Sequence, residues 1–505
     1  MHYTPGMPTT ALEWMLTVLA AVVGYELVRW AIVSRIKGRM RAGALSYVRR
    51  HRVALESARF IDRVWLREHL LMDPEVDQVV LACATAEEVP LRQVRRRVAT
   101  YVDEIAPAFS ITAYYRVGRV LAGTIVRFSY EVIFDAQRFR RVMAQVPPGA
   151  RVVFVMNHRS NFDYLVLSYG LLKHVALSYA VGEWAQVWPL DKLFKAFGSY
   201  FVRRGEKDPL YHRVLERFIQ LLVGHGGVTG FFLEGRFTRD GRMGTPKSGL
   251  VDFILGVLRT HPDAEIAFIP VGLNFDRILE DEMLLAERDG KPPPPTLMDR
   301  CRTLMKMSVR LPMMIGANMA RVATRSHRKL GYAAVAVGTP VLASAEGFAG
   351  PTGHAHLSRS ERRPHVDALA DRLRQAIEAT IPATPVPVFC LAFARVATED
   401  GVARGPLTKA VRDVIDLLRA AHAPIAFGEA FPLPESAESA IPGLGEEVAA
   451  QSEAEMVVTL AGYALGRREL IRFDDGWFRL EGDGANIMAY YANSVVHYLE
   501  VPPTS

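Results

Sequence analysis

Cysteine is scarce: 505 residues contain three, Cys83, Cys301 and Cys390, far apart in the chain. That spacing offers no disulfide framework and no cysteine metal cage, and it favours a reducing compartment. The opening residues also lack the ~20 consecutive apolar positions that a membrane-crossing helix needs. Trp14 to Val28 is mostly apolar, but Glu13, Glu26 and Arg29 bound or interrupt it. No basic segment precedes it, which argues against a secretory leader. Acids are missing altogether from Arg29 to Arg52, where eight Lys or Arg occur. No internal repeat is visible.

Half of the residues are hydrophobic and 23% are charged, the balance of a globular chain. The length suggests two or three domains. A formal charge of +7 favours an anionic partner: nucleic acid, an anionic membrane surface or a phosphorylated substrate. An apolar helix followed by a polybasic stretch suits an interfacial anchor, peripheral or monotopic, on the cytoplasmic face of the cell membrane. A core helix followed by a solvated basic one is the other reading. Basic residues are not interleaved with aromatics on strands, so a nucleic-acid partner is not expected.

The hydrophobic pattern predicts helices from about 30 to 145, including one from Ser110 to Phe139 with Tyr114, Val117, Leu121 and Ile125 on one stripe. From Gly149 to about Pro340, strands and helices alternate. Strands are expected at Val152–Met156, Ala176–Val181, Tyr200–Val202, Gly230–Leu233, Ile266–Val271 and Ala333–Val337. This predicts an α/β fold, a mixed sheet flanked by helices. Leu297 to Leu330 is basic and rich in methionine, suited to a bilayer surface, an acyl channel or plain core. Glu346–Arg363 reads as an exposed loop. Helices dominate beyond Pro364, with a small hairpin around Asp475-Gly476. The expected division is an anchor at 1–45, a helical N-terminal domain at 46–148, an α/β domain at 149–345 and a mainly helical C-terminal region at 364–505.

One stretch, Arg151 to Leu167, carries the chemistry. A buried strand, Val152–Met156, runs into Asn157-His158-Arg159-Ser160-Asn161 and then a helix that Ser160 or Asn161 can cap. His158 at the strand end and Asp163 in the first helical turn can meet. A carboxylate that fixes an imidazole tautomer makes a general base for an alcohol. Three later stretches add to the pair. Gly198–Arg204 ends an apolar strand in Arg203 and Arg204, a donor set suited to phosphate. Phe231–Arg242 runs into a glycine-containing loop with Glu234, Gly235, Arg236, Arg239 and Arg242, followed by Lys247 at a helix entry, a second candidate anion site. Phe268–Phe275 is an apolar strand holding Pro270, which a central strand resists.

In this order and at these intervals, the four stretches resemble the glycerol-3-phosphate and dihydroxyacetone-phosphate acyltransferase family. Its His-x4-Asp motif is matched by His158 to Asp163, its GxFFIRR by Gly198–Arg204, its FxEGxRSRxG by Phe232–Gly241 with Pro246-Lys247 after it, and its IPV by Ile269–Val271. Asp103–Ala106 and Tyr490–His497 are also similar to family members. One departure stands out: where the family has Arg and then Ser, this chain has Phe237 and Thr238.

The resemblance implies an O-acyltransferase that moves an acyl group from acyl-CoA or acyl-carrier protein to the sn-1 hydroxyl of glycerol 3-phosphate, giving lysophosphatidate. It implies catalysis by His158 oriented by Asp163. The acceptor phosphate would be held by Arg203, Arg204, Glu234, Gly235, Arg236, Arg239, Arg242 and Lys247. No metal or cofactor is expected. Dihydroxyacetone phosphate or 1-acylglycerol phosphate remain alternative acceptors. A catalytically impaired, membrane-bound lipid-binding homologue is the alternative suggested by the altered loop.

Overall fold

The computed structural model describes residues 63–109, 118–171, 174–182 apart from 176, 190–203, 205–289, 329–428 and 452–500, with single positions 35, 114 and 186. The expected anchor, Arg204, Cys301 and the Met-rich segment up to 328 lie outside these residues.

Runs of β-branched and aromatic residues supply eight strands to one mixed sheet: β1 (Glu131–Phe134), β2 (Arg151–Met156), β3 (Ser178–Gly182), β4 (Tyr200–Val202), β5 (Thr229–Phe232), β6 (Ile266–Phe275), β7 (Tyr332–Val337) and β8 (Val341–Leu342). The order across the sheet is β1-β7-β6-β2-β5-β3-β4, with β8 also on β6. From β6 to β4 all neighbours are parallel, whereas β7 runs antiparallel to β6. Parallel neighbours need crossovers, and helices Asp163–Leu171, Leu190–Ala196, Pro209–Gly224 and Gly249–Leu255 supply them. The expected α/β class with a mixed sheet flanked by helices is therefore present.

Both faces of the sheet are covered, because β2 buries side chains on each. Val153 and Val155 join a core with Leu66, Val94 and Val98 of the N-terminal helices and with Phe218 and Leu369. Phe154 and Met156 point the other way, into a core shared with Val126, Leu167, Phe389, Val457 and Tyr490. The C-terminal helices Pro385–Val396, Arg404–Ala420, Glu453–Gly466 and Gly484–Asn493 belong to that second layer. Helix starts follow local chemistry: the Asp208 side chain accepts from Leu210 N at 2.9 Å, ahead of Pro209 at the first turn.

Two expectations change. The helix predicted over Ser110–Phe139 is interrupted, since β1 occupies Glu131–Phe134 and pairs with β7. Asp135 then caps a new helix, Ala136–Met143, by accepting from Gln137 N and Arg138 N at 2.8 Å. β6, despite Pro270, is central. Its partner on one side is β8 at Ala267–Phe268 and β7 only from Val271 onward, so the proline falls in the gap between them. The C-terminal hairpin is present: β9 (Val402–Ala403), β10 (Ile471–Asp474) and β11 (Trp477–Leu480) form a small sheet. Asp475 and Gly476, at φ 49° and 76°, make the turn that a two-residue hairpin favours. Among the described residues, no helix is long and apolar enough to cross a membrane.

Candidate active site

The carboxyl ends of β6, β2 and β5 lie side by side, the place where parallel α/β sheets hold their chemistry. Asn157 fixes the first of these ends. Its Nδ2 donates to Leu273 O at 2.9 Å, and its Oδ1 accepts from Leu273 N at 2.8 Å. His158 follows, 1% exposed, with Nδ1 2.9 Å from Asp163 Oδ2. A carboxylate accepts only, so Nδ1 carries the proton and Nε2 is the basic nitrogen. The same Asp163 oxygen accepts from Arg159 N at 2.7 Å and Ser160 N at 3.0 Å. The acid thus holds both the imidazole and the turn that carries it, from the favourable N-terminal end of a helix.

Glu234, at the end of β5, is 4% exposed. Its Oε1 accepts from His158 N at 3.0 Å and its Oε2 from Gly244 N at 2.7 Å. Burial pushes its pKa up to about 7, against the pull of those two N–H groups and the Arg159 charge. Each oxygen accepts from a backbone amide, which ties the His158 turn to the Gly244 backbone. Gly235 turns the chain at φ +67°, in the left-handed region, and its N–H donates to Phe232 O at 3.1 Å.

Aromatic rings enclose the imidazole. Phe232 stacks on His158 at 3.8 Å, Phe237 lies at 4.2 Å and Tyr164 edge-on at 5.9 Å. Phe237 is also one wall of an open cleft of about 410 Å³, with Asn161, Arg236, Arg239, Met283, Leu284 and Glu287. Its lining combines two arginines, an asparagine and a glutamate with apolar side chains.

The expected phosphate cations separate. Arg236 is exposed in the cleft, with no ion pair among the described residues. Arg239 is there too, 3.4 Å from Glu287. Arg242 is bound to Glu500 by two hydrogen bonds of 2.8 and 2.9 Å. The exposed Lys247 sits on the helix entry, its N–H donating to Leu233 O at 2.8 Å. Arg203 ends β4, three strand positions from β2 and hence roughly 14 Å away. It is engaged by Glu104 at 2.6 and 2.8 Å and by Glu206 at 3.0 Å, between the Tyr101 and Tyr211 rings.

Several contributors had no sequence signal of role. Arg159, 1% exposed, donates from Nη1 to Gly241 O at 2.9 Å and lies 5.1 Å from the Tyr490 ring centre. Asn493 Nδ2 donates to Asp240 O at 2.8 Å. Asn493, at the end of the Gly484–Asn493 helix, and Arg159, next to His158 in the chain, therefore hold the Asp240–Gly241 turn. Glu280 accepts from Ser160 Oγ at 2.9 Å and from Asn161 Nδ2 at 2.9 Å. The resemblance of Tyr490–His497 to a family tail pointed at this helix, but not at its contacts.

A buried strand-end histidine, a helix-start aspartate and a Glu-Gly turn, on adjacent strand ends, coincide with a family match. Residues 140–274 match the family model described as Acyltransferase, which supports the resemblance carried by the four motifs. Several curated relatives that the chain matches are named glycerol-3-phosphate acyltransferase. The one from Aeromonas hydrophila is 29% identical over 242 residues, 47% of this chain and 30% of its own length. That of Pseudomonas syringae pv. tomato is 30% identical over 226 residues, 44% of this chain and 26% of its own. That of Pseudomonas putida is 25% identical over 447 residues, 86% of this chain and 48% of its own. The chain thus matches less than half the length of each. Among solved structures, the 1-acyl-sn-glycerophosphate acyltransferase PlsC of Thermotoga maritima matches 63% of this chain with 96% of its own, at 13% identity and a TM-score of 0.29.

Proposed function

We propose that the chain transfers an acyl group from acyl-CoA or acyl-carrier protein to the sn-1 hydroxyl of glycerol 3-phosphate, yielding lysophosphatidate at the cytoplasmic face of the membrane. The observation that carries this reading is the buried His158 Nδ1–Asp163 Oδ2 bond of 2.9 Å, which leaves Nε2 to act as base. Nε2 takes the hydroxyl proton as the oxygen bonds to the thioester carbon. The carbon–sulfur bond then breaks, and the proton passes from His158 to the departing thiolate. Asp163 stabilises the imidazolium between these steps; positioned acid–base catalysis of this kind contributes about 10²–10⁴ in rate. Arg236 and Arg239 meet the acceptor phosphate in the cleft, with Lys247 nearby in sequence. Arg203 supports the fold through Glu104 and Glu206.

The relatives' shared name supports the choice of acceptor, and the two arginines that line the cleft support a phosphate. The test offers purified protein labelled palmitoyl-CoA with glycerol 3-phosphate, dihydroxyacetone phosphate or 1-acylglycerol phosphate in turn. Labelled lysophosphatidate from glycerol 3-phosphate is expected. Preferential acylation of either other acceptor would move the assignment within the family.

A further inference from the structure

We propose that Phe237 is a specificity-determining residue whose ring separates His158 from the cleft and is displaced by the acyl chain of the thioester donor. The inference rests on the acyl-transfer reading above and says where the donor's apolar part lies.

A base must touch the hydroxyl it deprotonates, yet His158 is 1% exposed. One of the rings around it has to move. Phe232 is held in β5, its backbone in register with Met156 of β2, and is 7% exposed. Tyr164 is 5% exposed in its helix, its hydroxyl donating to Ala180 O at 3.2 Å. Phe237 alone of the three is half-buried, sits in a loop and borders open space.

The loop around it is pinned. Thr238 N donates to His158 O at 3.2 Å, Gly235 N to Phe232 O at 3.1 Å and Lys247 N to Leu233 O at 2.8 Å. Thr238 Oγ1 accepts from Gly241 N at 3.2 Å, and Asn493 holds Asp240 O. Opening is therefore a rotation of one side chain between staggered wells, not a movement of the loop.

The occupant follows from what the ring gives up and what replaces it. Turning Phe237 away removes an apolar contact from the imidazole, which water does not replace and an aliphatic chain does. Met283 and Leu284 line the same cleft as Phe237 and give it apolar surface, while Arg236, Arg239 and Asn161 give it cations and a polar group. An acyl chain along Phe237, Met283 and Leu284 thus uncovers Nε2 as it seats the thioester, and leaves the cations to the acceptor. A short acyl group is too small to displace the ring, so long chains are preferred.

The test uses the full chain and two readouts. Carbethoxylation by diethyl pyrocarbonate, mapped by mass spectrometry, reports access to His158, with the exposed His422 as internal standard. Phe237→Ala is expected to speed modification of His158 about 10-fold or more relative to His422, and Phe237→Leu to act in between. The ratio of kcat/KM for palmitoyl-CoA to that for butyryl-CoA should fall about 10-fold in Phe237→Ala. An unchanged His158 rate in both folded variants overturns the proposal, as does an unchanged chain-length ratio. Since carbethoxylation needs no turnover, transfer by the wild type with no response to either variant defeats this inference alone. A wild type without any transfer defeats the reading on which it rests.

Discussion

Replacing Glu234 by Gln removes the one carboxylate that ties the His158 turn to Gly244. Burial raises this acid to about 7, while the unfolded chain titrates it near 4.5. Between those values the folded state keeps a proton that the unfolded state has released, so stability is lost as pH rises from 4.5 to 7. The full loss is about 3 kcal/mol, and about 2.5 kcal/mol of it falls between pH 5 and pH 8. Gln has no such dependence, but it leaves one of the two N–H groups facing a donor, a pH-independent cost of about 1–3 kcal/mol. Urea unfolding of both proteins at pH 5 and pH 8 separates the two effects. Glu234→Gln should be the less stable at pH 5, and the gap should narrow or reverse by pH 8. Parallel pH slopes in the two proteins would refute the reasoning, because every other titrating group is common to both.

Further outcomes follow from neighbouring contacts. Gly241 has φ +89°, and a Cβ there would stand 1.9 Å from Tyr490 O, so Gly241→Ala should cost more than the ~1–2 kcal/mol of left-handed strain, measured as a fall in Tm. Arg203→Ala should destabilise by about 1–3 kcal/mol, leaving Glu104 half-buried without its fork, while KM for glycerol 3-phosphate changes little. A large rise in KM would instead place the phosphate at β4. Arg159→Met should lower kcat by freeing the Gly241 turn, with a loss of about 1–3 kcal/mol for the unpaired carbonyl; unchanged turnover would show that the turn does not position His158.

The strand at Val152–Met156, the break after it and the His158–Asp163 spacing were legible because each is local: a buried apolar run, a capping region and a separation within one turn. The loss of helix at Glu131–Phe134 was not, since β1 exists by pairing with β7 some 200 residues on. Charge partners are equally remote. Glu104 lies 99 residues from Arg203, and Glu500 lies 258 residues from Arg242, so residues that read as free phosphate ligands are already occupied. Glu234 was visible as part of a motif, but which way its carboxylate points depends on the amides of His158 and Gly244. At Phe237 the sequence shows the departure from the family's arginine, and only the fold shows that the ring rests on the imidazole.

The central claim is that His158, held by Asp163, takes a proton from glycerol 3-phosphate. Its most direct test is the rate of lysophosphatidate formation from labelled palmitoyl-CoA and glycerol 3-phosphate by wild type and His158→Ala, each checked for folding by circular dichroism. A drop of about 10²–10⁴ with the fold intact is expected. Wild-type turnover in the folded variant, or no lysophosphatidate from the wild type, would contradict it.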